Sequence, residues 1–315
     1  SALIGKVVSY TPDTPSTGYD LSTAKSGYSS AQTIDGKYDP TTWKIMEVDE
    51  NGNVTKLFGV PSSSQSSVIF QGSTGYNNGV YLLNDICKSR YGNASLGATA
   101  RSLNIEDIES RMNSNGIAAR NGYKSGTVQY GTTRKYTGSY TKYPAIYAQE
   151  KYSGVDVSDV ADGTQVITGS VDATAQAKMN PNGKSGSDDI YTTLPETSET
   201  TGPSKTNLTC TQTYYYFSNT PSSYFDDTNF HSMIFGTGTN FWLASRYVNC
   251  NSNYSYATFG LRSVSYGSLY GRSLFYSDGD NYNSSYRLAP VVSLSSGVQV
   301  KSGSGTTSDP YVIGK

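Results

Sequence analysis

The sequence predicts an α+β fold of many short strands, long loops and two helices, and three observations carry that expectation. The 315 residues include 28 Tyr and 32 Gly, and only 16% are charged, so helix formers are scarce while turn formers and a strand-favouring aromatic abound. The chain opens in period-two apolar patterning, and helical spacing of apolar residues is confined to short stretches. Mean hydropathy is nevertheless low, at -0.49, because uncharged polar residues fill the positions that charges occupy in an ordinary domain.

Taken in order, the stretch from Ile4 to Tyr10 alternates and is β-branched. Trp43 to Val48, the turn residues Asp49-Glu50-Asn51-Gly52, and Val54 to Phe58 read as a hairpin. Leu82, Leu83, Ile86 and Cys87 fall at i, i+1, i+4 and i+5, with Asn77-Asn78-Gly79 ahead and Gly92 behind, which predicts an amphipathic helix over 80–92. Asn104 is placed to cap a second helix over 104–113, with Glu106, Asp107 and Glu109 where the helix dipole favours anions and Ile105, Ile108 and Met112 on one face. Residues 117–205 show little apolar periodicity and a turn-rich stretch at 180–187, and read as a loop- and strand-rich insertion. A Tyr-rich strand over 211–217 and a short helix near 227–234 follow, and then the apolar run Phe241-Trp242-Leu243-Ala244. The expected organisation is a core formed by 1–116 and 206–315, with 117–205 inserted. The first strand is expected to pair with the apolar strand at 290–294.

A formal net charge of -1 removes any whole-chain attraction to nucleic acid or anionic lipid, and no apolar run reaches the roughly eighteen residues of a membrane span. Neither nucleic-acid binding nor membrane insertion by this chain is expected, and the sequence reads as a soluble ectodomain or mature product. Scarce Lys and Glu beside abundant Tyr, Ser, Thr and Asn suggest an extracellular or cell-surface protein. Cys87, Cys210 and Cys250 have no metal-ligand spacing, and Cys87 lies in an apolar stretch, as a buried free thiol would. The sole histidine, His231, reads as structural. With no Gly-x-Ser-x-Gly elbow, His-Glu-x-x-His pair or Walker loop, no catalytic residues, cofactor or enzyme activity are expected.

The tract from Tyr247 to Tyr286 has a different character. Among its forty residues are eight Tyr, nine Ser, five Asn and two Asp, and it contains no Lys, Glu, Gln, Met or Trp. A genetic rule accounts for that absence: AAC or AAT codons randomised at their adenines reach Asn, Tyr, Ser, Asp, Thr, His, Cys, Arg and Gly but never those five types. Ala257, Phe259-Gly260-Leu261, Val264, Gly267, Leu269, Leu274-Phe275 and Gly279 interrupt the polar positions at intervals suited to holding strands and turns, with Gly260, Gly267, Gly271 and Gly279 expected at turns. Arg246 and Arg287 read as buried-pair or backbone anchors.

These residues carry a resemblance. Phe241-Trp242-Leu243-Ala244-Ser245-Arg246, the Tyr/Ser/Asn-rich tract, and the closing Arg287-Leu288-Ala289-Pro290-Val291-Val292-Ser293-Leu294 resemble the C-terminal variable region of a diversity-generating retroelement target protein. Gly75-Tyr76-Asn77-Asn78-Gly79, Leu82 to Cys87, Ala100 to Ile108 and the end from Gly303 to Val312 resemble a bacterial surface-protein module joined to such regions. The resemblance implies a C-type lectin-like fold and a surface-displayed binder in adhesion or receptor recognition, its face diversified by adenine-directed mutagenesis. The partner implied is a protein or glycan on another cell or phage. The candidate ligand-binding positions are Tyr247, Asn249, Asn251, Asn253, Tyr254, Tyr256, Ser263, Ser265, Tyr266, Ser268, Tyr270, Arg272, Tyr276, Asp278, Asp280, Asn281, Tyr282, Asn283, Ser285 and Tyr286. Tyr supplies amphipathic contact area at low entropy cost and Ser and Asn supply adaptable hydrogen bonds, as in antibody loops.

Sugar-binding C-type lectins hold calcium through carboxylate and amide oxygens. The run Asp278-Gly279-Asp280-Asn281 clusters such oxygens, but neither Glu-Pro-Asn nor Trp-Asn-Asp occurs, and no required metal is expected. The competing reading is a structural pilin-type or tip adhesin subunit with a fixed surface, of a kind that could bind glycan.

Overall fold

The computed structural model describes residues 2–13, 18–21, 32–124, 218–250, 257–276 and 282–315, with short strand segments at 128–129, 142–144, 168–169, 191–193 and 208–210. Side chains at 73, 74, 76–78, 81, 121–124, 246, 248–250, 257–259, 275 and 276 lie outside that description. So do most of the insertion, including 180–187, and the Tyr-rich segment 211–217.

The fold is mixed α+β, mostly strands, with four helices among the described residues. In chain order these elements are β1 (Val7–Ser9), β2 (Trp43–Val48), β3 (Val54–Gly59), β4 (Val68–Gln71), α1 (Gly72–Arg90), β5 (Thr99–Ser102), α2 (Ile105–Glu109) and α3 (Ser114–Lys124). After the insertion come α4 (Thr228–Phe235), β6 (Phe241–Cys250), β7 (Ala257–Ser265), β8 (Ser268–Tyr276), β9 (Asn283–Tyr286), β10 (Pro290–Ser293), β11 (Gln299–Ser302) and β12 (Tyr311–Gly314). A seven-stranded mixed sheet runs β11-β12-β1-β2-β3-β10-β5. The strands β6-β7-β8 form a separate antiparallel meander, and β4 pairs with β9.

The β2–β3 hairpin forms as the sequence predicts. Asp49 Oδ1 accepts from the amides of Asn51 at 2.9 Å and Asn53 at 2.8 Å, and Gly52 takes the positive φ that the turn requires. The expected pairing of the first strand with the 290–294 strand does not occur. The apolar C-terminal strand β12 takes the free edge of β1 in parallel, with Val8 opposite Tyr311, and the β2–β3 hairpin separates β1 from β10. β10 lies instead between β3 and β5, with Val291 opposite both Phe58 and Arg101.

Helix α1 begins eight residues before its expected start at residue 80, because Gly75 and Gly79 are contact surface within the helix and Gly79 is not the boundary ahead of it. A Cβ on Gly79 would sit 2.4 Å from a Leu261 methyl, and one on Gly75 would sit 3.2 Å from a Leu274 methyl. Spaced four apart, the two glycines form a notch on one helix face into which leucines of β7 and β8 descend. Leu82, Leu83, Ile86 and Cys87 are fully buried, and one contiguous core joins them to Ile45, Phe58, Val291 and Val292 of the large sheet and to Trp242, Leu243 and Ala244 of β6.

Asn104 caps α2 in a full capping box: its side chain accepts from the Asp107 amide at 2.9 Å, and Asp107 accepts from the Asn104 amide at 3.1 Å. Asp107 also takes both guanidinium nitrogens of Arg101 at 2.6 Å. α2 is shorter than the expected 104–113, since Met112 leaves the helix to bridge Phe225. α3 was not anticipated, because Gly116 packs against the Tyr224 backbone in place of an apolar stripe; the helix crosses the expected boundary between 116 and 117.

Burial with satisfied bonds makes Asp107 costly to remove. Asp107→Ala leaves Arg101 without its carboxylate and the helix without half its cap, and is expected to cost about 3–5 kcal/mol in urea unfolding. Burial also pushes the Cys87 thiol up, which depletes the reactive thiolate. At pH 8 the native protein should leave Cys87 unalkylated by iodoacetamide, and unfolding should expose it, as read by peptide mass spectrometry.

Candidate functional site

The tract enters the fold through Trp242. Its indole nitrogen donates to the Val68 carbonyl at 2.9 Å, its amide donates to the Arg287 carbonyl at 3.0 Å, and its ring lies between Phe70 at 5.5 Å and Tyr286 at 4.9 Å. Just after it β6 bulges, Trp242 facing Ser263 while Arg246 faces Leu261. In the bulge the Ala244 amide donates to Leu103, and the Ser245 hydroxyl accepts from the Ile105 amide at 2.8 Å, which fixes the strand to the start of α2.

Four of the expected ligand positions are interior and belong to the scaffold. Ser263 pairs directly with Trp242, so its side chain shares the buried side of the meander, and Ser265, two residues on, follows it. Tyr247 is buried because its ring covers Gly260 and Gly271, where added Cβ atoms would stand 2.7 and 2.4 Å from ring carbons, and its hydroxyl bonds Ser273 Oγ at 2.7 Å. Tyr286 is buried against Trp242, with the Arg272 guanidinium 5.3 Å above its ring and Arg272 Nε donating to its hydroxyl. Desolvation works to lower the Arg272 pKa, but the bond to Tyr286 and the electrostatic pull of Tyr286, Tyr266 and Tyr247 together outweigh it, so the guanidinium stands above its ordinary value. The expected turns at Gly260 and Gly271 are likewise corrected: both lie within strands, as the floor for Tyr247. Gly267 is at a turn, and Gly279 falls outside the described residues.

Other positions face outward. Tyr266, Tyr270 and Tyr282 are 80%, 40% and 45% exposed, whereas the tyrosines described outside the tract are buried or half-buried. Tyr266 and Tyr270 meet edge to face at 6.2 Å. Asn283 and Ser285 are exposed on β9. Ser268 is half-buried, its hydroxyl accepting from the Thr220 amide at 3.0 Å. Asn251, Asn253, Tyr254, Tyr256, Asp278, Asp280 and Asn281 lie outside the described residues, as do the side chains of Asn249 and Tyr276. His231 packs between Phe225 and Phe235, with Nε2 3.0 Å from the Thr220 carbonyl.

The hairpin tip is strained. Tyr266 and Gly267 have φ of 51° and 73°, the pair of positive values that a tight two-residue turn between twisted strands demands. Asn-Gly is the favoured pair there, and a bulky aromatic in the left-handed region costs about 1–2 kcal/mol. Beside the tip opens a groove of about 490 Å³ between the turn and the loop that follows α4. Asn240 joins its walls: its side-chain oxygen accepts from the Tyr266 amide at 3.3 Å, and its backbone carbonyl accepts from the Arg287 amide at 3.3 Å. The loop's contribution was not legible in the sequence, since Gly236 to Asn240 lies outside the tract and carries no periodic or compositional signal.

The Tyr247 packing gives a direct test. Gly271→Ala drives a methyl into the ring and is expected to destabilise by about 1–3 kcal/mol in denaturant unfolding. Compared with family models, curated proteins and solved structures, the chain matches none.

Proposed function

We propose that this chain is a surface-displayed binding protein whose 247–286 tract is a ligand face diversified at adenines, carried on a C-type lectin-like fold. The observation that carries the reading is the division of labour within the tract. Leu261, Val264, Leu269 and Leu274 are buried, whereas Tyr266, Tyr270, Tyr282, Asn283 and Ser285 are presented to solvent, all of them types reachable from an AAC or AAT codon. Such a face binds through rigid amphipathic rings and short polar groups without altering its backbone. The lectin-like part of the reading draws support from the first and last strands lying side by side in one sheet. The ligand class is a protein or a glycan on another cell or phage.

The test is to sequence the genomic flanks and the codons for residues 241–294 in several isolates. Substitutions confined to adenines of a matching non-coding repeat, beside a reverse-transcriptase gene, are expected, with changes frequent at 266, 270 and 282 and absent at 261, 264, 269 and 274. An invariant tract without a repeat would overturn diversification and leave the structural-subunit reading.

A further inference from the structure

The groove beside the hairpin tip combines features that the composition of the tract does not explain. Arg287 brings a full positive charge to its wall, and no acid among the described residues pairs with it. One guanidinium nitrogen donates to the Ser63 carbonyl at 3.2 Å, while Nε is buried without an acceptor among the described residues. A guanidinium on the wall of a groove, with no paired acid among the described residues, offers an incoming anion a charge-assisted partner. The carbonyl end of α4 also borders the groove and brings a partial negative charge; the Gly236 amide bonds Ser232, and a Cβ on Gly267 would stand 3.3 Å from the Phe235 carbonyl. Arg287 carries the one full charge among the residues that line the groove.

Tyr266 forms the rim, more exposed than any other large hydrophobic side chain among the described residues, and it stands there at a backbone position that suits Asn better. Strain retained by an exposed aromatic with little packing to hold it is a pointer to function. A single adenine change converts an Asn codon, AAC or AAT, to Tyr, so the residue that relaxes this turn is also the unmutated form under the reading above.

We propose that this groove is a binding site for a carboxylate group, with Arg287 as its fixed anionic anchor and Tyr266 as the exchangeable aromatic wall that packs on whatever bears the carboxylate. The volume falls in the range of small-ligand sites, enough for one acidic residue or sugar acid with its immediate neighbours. Arg287 lies one residue past the tract, so diversification changes the wall and leaves the anchor. The proposal rests on the preceding reading only for the exchangeability of residue 266, since the anchor is present in this chain whatever its genetics.

The test is titration of the full chain, followed by amide and Arg Nε NMR shifts at fixed ionic strength, with two pairs of probes. One pair is a hexapeptide with a free C-terminal carboxylate and its amidated form; the other is N-acetylneuraminic acid and its methyl ester. Saturable shifts at Tyr266, Gly267, Gly236 and the Arg287 side chain with a free acid, absent with its blocked form, are expected, and the responding pair identifies the source. Arg287→Gln should weaken binding at least tenfold and Arg287→Lys less. Tyr266→Asn should weaken it severalfold while raising Tm by a few degrees. Equal response to acid and blocked forms, no response to either acid at millimolar concentration, or full binding by folded Arg287→Gln would overturn the proposal. None of these outcomes bears on whether a template repeat exists, so the two readings fail separately.

Discussion

The buried indole of Trp242 is the constraint on which the arrangement depends. Through one side-chain bond, one backbone bond and two ring contacts it ties the start of the meander to β4 and to the chain just after β9. β4 runs directly into α1, and β9 leads directly into β10 of the large sheet, so a single side chain holds both ends of the 247–286 tract against the core. The bond to Val68 matters as much as the ring, because an indole N–H sealed in an apolar interior without an acceptor is strongly unfavourable.

Beneath the meander, α1 supplies a platform shaped by absent side chains. The notch at Gly75 and Gly79 lets β7 and β8 approach to leucine-against-backbone distance, and Tyr247 is clamped on Gly260 and Gly271 in the same manner. Each contact needs one partner to lack a Cβ. Under the proposed reading, a surface that exchanges its side chains is mounted on positions that accept almost none, and glycine occupies both layers of that mount.

Much of the scaffold was legible in the sequence. The β2–β3 hairpin, the Asn104 cap and the buried Cys87 follow from turn chemistry, capping preference and apolar spacing. Local pattern failed where the deciding contact was distant in sequence. Gly79 reads as the boundary ahead of the helix until Leu261 is known to fill its place, and Gly260 and Gly271 read as turns until Tyr247 covers them. Composition likewise could not separate Ser263 and Ser265 from Ser285, since strand alternation assigns sides only once the partner strand is known. The sequence marks Arg287 as a buried-pair or backbone anchor, and its guanidinium bonds the Ser63 carbonyl. The groove it lines depends on a loop nearly fifty residues earlier.

The parallel pairing of β1 with β12 has a mechanical meaning. Val8 lies opposite Tyr311 and Ser9 opposite Val312, with the two strands running in the same direction. Tension applied between Val7 and Gly314 draws such strands past one another, so their hydrogen bonds are loaded together in shear and do not unzip singly. β2 and β11 flank the pair and share that load through their own ladders. Pulled along this axis, the sheet yields by sliding of whole strands.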